Sequence, residues 1–102
     1  MGRSSRPTPE RLAEKLYLIR QHQKLTQEKM VECLQAKLEE HYQSAKIYPG
    51  HISDYEKGKR EPPLVVLLAY ARIAGVSIDV LADDGQQLPG FYFTYVIRKS
   101  IR

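Results

Sequence analysis

The sequence predicts an all-α fold of five helices, and three observations carry that prediction. Apolar residues recur at helical spacing in the first half: Leu12, Leu16 and Ile19 at i, i+4 and i+7, then Met30, Val31, Leu34 and Leu38. Helix starts and stops are written into the chain. Thr8-Pro9-Glu10, Thr26-Gln27-Glu28, Pro49 and Ser77 open helices, while Gly58 and Gly75 are placed to close them in left-handed turns. The run from Leu64 to Ala74 is almost wholly apolar, as a buried helix must be.

In chain order, residues 1–8 lack periodicity and form an expected flexible basic arm, with Arg3 and Arg6 able to reach a minor groove. The first helix is expected from Pro9 to about Gln21. The second is capped by Thr26 and runs to about His41 through good helix formers, followed by a loop to Ile47. The third starts at Pro49, whose missing N–H would be unpaired in a first turn anyway. Pro62-Pro63 prevents helix before the fourth, Leu64–Ala74. Ser77 caps a short fifth, Ile78–Leu81, and Asp83-Asp84-Gly85 reads as a turn. Residues 86–90 read as loop. Phe91–Ile97 is aromatic and β-branched and reads as a strand, in a tail (86–102) suited to dimerisation or to packing across the helices.

Composition narrows the function classes. One hundred and two residues make one domain, with 9–85 as its body. The net charge is +4, and its placement says more than its size. Residues 1–60 hold 12 Lys/Arg against 8 Asp/Glu, residues 61–90 hold 1 against 4, and residues 91–102 hold 3 against none. Cys33 is the sole cysteine, so neither an intramolecular disulfide nor a Cys-rich zinc site can form, and it reads as a buried small hydrophobe. The longest apolar run is far shorter than the ~20 residues of a membrane span. No secretory or myristoylation signal is read at the N-terminus, which points to a cytoplasmic protein without membrane attachment.

The chain is organised around residues 47–63. Ile52 and Tyr55 lie three apart and can face inward together, leaving His51, Ser53 and Asp54 nearer the outside. Gly58 ends the helix, and Lys57, Lys59 and Arg60 then cluster where a phosphate backbone could lie. A small polar helix with cations at its exit suits a major-groove reader. His51, Ser53 and Asp54 on one short helix cannot make a nucleophilic relay. His22, His41 and His51 have no metal-ligand spacing and read as surface residues. Asp79, Asp83 and Asp84 lack the calcium-loop pattern and read as cap and turn residues. No cofactor motif is present, and an enzyme is the weakest reading.

These motifs, in order, resemble the phage-repressor (Xre/Cro-like) helix-turn-helix family. They are Thr26-Gln27-Glu28, then Ile52-Ser53 with Glu56, Gly58-Lys59-Arg60 and Pro62, then Leu67-Leu68 with Ala71, and Gly75-Val76-Ser77 with Leu81. The resemblance runs from about Leu12 to Leu81. It implies a five-helix repressor-like bundle that binds double-stranded DNA, most simply a homodimeric repressor. It places Tyr48, His51, Ser53 and Asp54 at the bases, and Gln27, Lys46, Lys57, Lys59 and Arg60 on the backbone side. It makes Arg20 and Glu56 an internal ion pair and puts Ile52 in the core. The alternative it implies is an antitoxin-like module that holds a partner protein through the 35–46 insert and the aromatic tail. Two departures stand out. Twelve residues separate Leu34 from Ile47, where a helix-turn-helix needs a turn of about 3–4. The reading helix also lacks the Arg, Asn and Gln that make bidentate base contacts.

Overall fold

In a computed structural model, residues 9–41, 46–90 and 92 are described. Among the described residues five helices appear in the expected order: α1 (Leu12–Gln23), α2 (Gln27–His41), α3 (Pro49–Glu56), α4 (Leu64–Ala74) and α5 (Ile78–Ala82). α4 packs against α2, α1 and α5, while α3 packs against α2 and α1. Leu16, Ile19, Met30, Leu34, Ile52, Tyr70 and Leu81 are completely shielded from solvent at the centre. They come from all five helices, so one core fixes α3 relative to the rest.

The boundaries follow from local chemistry. Thr26 Oγ1 accepts the Lys29 N–H at 3.1 Å, capping α2 as its sequence requires. α2 then continues to His41, so the long Leu34–Ile47 interval is partly an extended second helix. Gly58 (φ +73°) and Gly75 (φ +73°) both take the left-handed conformation that turns the chain out of α3 and α4.

α1 departs from expectation. Pro9 and Glu10 are not helical, and Arg11 is the N-cap without a side-chain bond. A distant carboxylate supplies the cap: Asp84 accepts the Glu10 N–H at 2.8 Å and the Arg11 N–H at 3.0 Å. Lys15, buried at 4% exposure, completes this junction by donating Nζ–H to the carbonyls of Val80 (2.7 Å) and Asp83 (3.0 Å). Burial lowers the Lys15 pKa from the ordinary lysine value. The backbone N–H donors of Arg11 and Glu10 hold Asp84 below the usual carboxylate range. A depressed carboxylate pKa contributes stability above its unfolded value, and that contribution is lost as pH falls through the folded one. The Tm deficit of Asp84→Ala should therefore be full at neutral pH and shrink once the pH drops below 3.8, the carboxylate's ordinary value. Scanning calorimetry across the acid range checks this.

Other expectations need correction. Ser77 is the N-cap of α5, but its side chain makes no capping bond. Cys33 is only half-buried, because α2 turns it away from the Met30, Leu34 and Leu38 stripe. His22 is half-buried rather than superficial, with its ring 4.4 Å from that of Tyr92. The expected strand falls mostly outside the described residues. Its one described member, Tyr92, is helical and 1% exposed, and no strand occurs among the described residues. Leu88, expected in a loop, is also buried in the main core. Residues 1–8, including the expected arm and Thr8 cap, lie outside the described residues.

Tyr70 is a packing residue with a cost. Its hydroxyl is fully buried without a hydrogen-bond partner among the described residues, and burial raises its pKa far above the usual tyrosine range. An unsatisfied buried hydroxyl costs about 1–3 kcal/mol. Tyr70→Phe, which keeps the ring, should be neutral or stabilise by about 1 kcal/mol in urea denaturation.

Candidate nucleic-acid interface

α3 meets the body of the domain through Ile52 (fully buried) and Tyr55 (3% exposed). Burial raises the Tyr55 pKa, so its hydroxyl stays neutral. The opposite side of the helix starts with Tyr48, 59% exposed, followed by exposed Pro49 and Gly50. His51, Ser53 and Asp54 are half-buried along its flank.

A polar cluster clamps the inner end of α3. Arg20 donates from Nε to Glu56 Oε2 at 2.7 Å and from NH2 to Glu56 Oε1 at 2.9 Å, while its NH1 donates to the Leu25 carbonyl at 2.9 Å. The hydrogen bonds to Glu56 raise the Arg20 pKa and hold the guanidinium charged. Gln27 Nε2 also donates to Glu56 Oε1, at 3.4 Å. One carboxylate at the end of α3 thus ties together α1 and the first turn of α2. Tyr17 lies under the Arg20 guanidinium at 5.7 Å.

The start of α3 is held differently. The Ile47 N–H donates to Gln35 Oε1 at 3.1 Å, anchoring the chain to α2 just before the turn into α3. Gln35 was not singled out in the sequence, since a glutamine on a helix carries no signal that its amide will meet a backbone twelve residues on. Tyr48 and His51 then bond to one another and pack edge to face, with ring centres 5.5 Å apart.

At the exit, the backbone N–H groups of Lys59 and Arg60 both donate to the Asp54 carbonyl, at 2.9 and 3.3 Å. The basic elbow is thereby fastened to the last turn of α3. Lys57, Lys59 and Arg60 are all exposed. Arg60 Nε lies 3.8 Å from Asp54 Oδ2, with both side chains well exposed, so this pair is weak. An open cleft of about 350 Å³ runs beside the helix, with Lys46, His51 and Arg60 among its lining. The structure therefore brings Lys46, Tyr48, His51, Asp54 and Arg60 to one side of α3, with Lys57 and Lys59 at its end. Gln27 sits with the internal clamp. Among the described residues no three His, Cys, Asp or Glu side chains gather as metal ligands, and no helix is long and apolar enough to cross a membrane.

A family model described as helix-turn-helix matches residues 37–81, from the second half of α2 through α3 and α4 into α5. Searches of curated proteins and of solved structures returned no match. The matched segment holds the helix that the Arg20–Glu56 clamp fixes in place and the cationic elbow beyond it. The match supports a DNA-binding helix-turn-helix regulator that is similar, over residues 37–81, to the phage-repressor-like family.

Proposed function

We propose that this chain is a sequence-specific transcriptional repressor of the cytoplasm that grips duplex DNA as a homodimer. The elbow carries this reading. Lys57 caps α3, Gly58 turns the chain, and Lys59 and Arg60 follow, all three cations exposed; two backbone bonds to Asp54 fasten that turn beside the half-buried polar residues of the helix. Lys46, Lys57, Lys59 and Arg60 contact phosphates, with Gln27 on the backbone side at the start of α2. Tyr48, His51, Ser53 and Asp54 face bases, with Asp54 accepting from a cytosine N4 amine. Because few of these side chains can make bidentate contacts, DNA shape supplies part of the specificity. A dimer would place two half-sites about 34–36 Å apart.

Selection from a random duplex library tests the reading, with an inverted repeat as the expected product. Salt titration on that repeat should then separate the two classes of contact. Lys59→Ala or Arg60→Ala should weaken binding on all sequences alike and reduce the salt slope by about 1. His51→Ala should change the preferred sequence at a cost of about 1 kcal/mol on the best site. Equal behaviour of both classes would reject the division into anchors and readers. Analytical ultracentrifugation of the complex reports whether two copies bind.

A second reading is an antitoxin-like module that holds a partner protein through the 35–46 insert and the aromatic tail. Stoichiometric co-purification of one other protein would support it.

A further inference from the structure

His51 is the third residue of α3, and Tyr48 is its N-cap. The Tyr48 N–H donates to His51 Nδ1 at 3.3 Å, while the His51 N–H donates to the Tyr48 carbonyl at 2.9 Å. An imidazole nitrogen thus takes the place that a Glu or Gln oxygen holds in a capping box. A ring nitrogen that accepts an N–H cannot itself bear a proton, so the neutral ring carries its proton on Nε2. Two aromatic neighbours hold the ring in place: Tyr48 edge-on, and Tyr55 with ring centres 6.3 Å apart. The ring lines the open cleft that also holds Lys46 and Arg60.

We infer that His51 is a donor-only reader whose Nε2–H recognises the N7 of a purine in the major groove. Resting on the proposed DNA-binding role of α3, this assigns the chemistry of one base position. Nδ1 is committed to the backbone of Tyr48, so the ring cannot offer the donor–acceptor pair that tells guanine from adenine. A single donor suits N7, which both purines present in the major groove, with thymine O4 as the competing acceptor. Recognition through N7 leaves guanine and adenine equivalent at the operator position beneath His51, whereas a thymine O4 there would escape every 7-deaza penalty. Lys46 and Arg60, flanking the same cleft, take the phosphates on either side.

The test uses the full chain and the duplex recovered by selection. Each purine of the half-site is replaced in turn by its 7-deaza analogue, which loses N7 but still pairs. One position should cost the parent protein about three- to tenfold in affinity, the worth of one neutral hydrogen bond. His51→Ala should show no such penalty. His51→Gln, whose amide oxygen can accept from Tyr48 while its nitrogen donates, should retain part of it. Nitrogen NMR of the free protein should find the imidazole proton on Nε2. Salt-dependent binding indifferent to every 7-deaza substitution overturns the inference and leaves DNA binding standing. So does a penalty unchanged in His51→Ala, or a ring protonated on Nδ1 alone. Absence of any DNA binding removes both.

Discussion

Glu56→Ala is expected to lower stability by about 3 kcal/mol and to abolish DNA binding at the temperatures where the parent binds. Breaking a buried ion pair by deleting one partner costs about 3–5 kcal/mol, because the other charge is left without compensation. The lower end applies because the Arg20 side chain keeps 12% exposure, against 6% for Glu56. Glu56 accepts from both Arg20 and Gln27, so its loss frees donors on α1 and α2 at once. Arg20→Ala should cost less than Glu56→Ala if the NH1 bond to the Leu25 carbonyl is worth little. Arg20→Met combined with Glu56→Leu should recover much of the deficit, since paired removal of buried charges is often neutral. Urea denaturation of the four proteins gives the coupling energy directly. A single-variant loss below about 0.5 kcal/mol would show that packing of Ile52 and Tyr55, not the ion pair, fixes α3.

Much of the fold was legible because it depends on short-range rules. Thr26, Gly58 and Gly75 act within one turn of their own positions, and each marks a helix end where the structure has one. The spacing of Met30, Leu34 and Leu38, and of Leu12, Leu16 and Ile19, placed those residues in the core. What could not be read was chemistry at long sequence separation. The cap of α1 is a carboxylate more than seventy residues away, so the local Thr8-Pro9-Glu10 signal misplaced the helix start. Nothing near Lys15 in the sequence marks it as buried, and only the proximity of α5 makes it a donor to two carbonyls.

The site was legible to a similar depth. Gly58 and the three cations beside it needed only their own sequence to be found. The position of His51 on the helix was equally plain, but its tautomer follows from a backbone N–H that comes within reach only once α3 has formed. Asp54 shows the limit from the other side. As a side chain it was assigned to a base, yet its carbonyl also holds the elbow and its carboxylate lies near Arg60. No periodicity rule shows that one residue serves the helix face and the turn beyond it.

The tail gives the second large effect. Tyr92 is 1% exposed, its ring lies 4.4 Å from that of His22, and its hydroxyl donates to the Ala74 carbonyl at 2.9 Å. It lies beyond residues 37–81, so the helix-turn-helix match gives no account of it. Its contacts are at the C-terminal ends of α1 and α4, the latter where Gly75 turns the chain away. Removing a buried aromatic ring costs about 3–5 kcal/mol, the transfer of its surface plus the cavity left behind. Tyr92→Ala should fall in that range, whereas Tyr92→Phe should lose only about 1 kcal/mol for the hydroxyl bond. Amide exchange should show the loosening spread through α1 and α4 while α3 stays protected up to the new, lower global stability. If Tyr92→Ala unfolds at the same denaturant concentration as the parent, the segment after α5 is an appendage and the helices stand without it. A loss of about 3 kcal/mol would make Tyr92 part of the domain, and any truncation made to isolate the DNA-binding unit must then keep it.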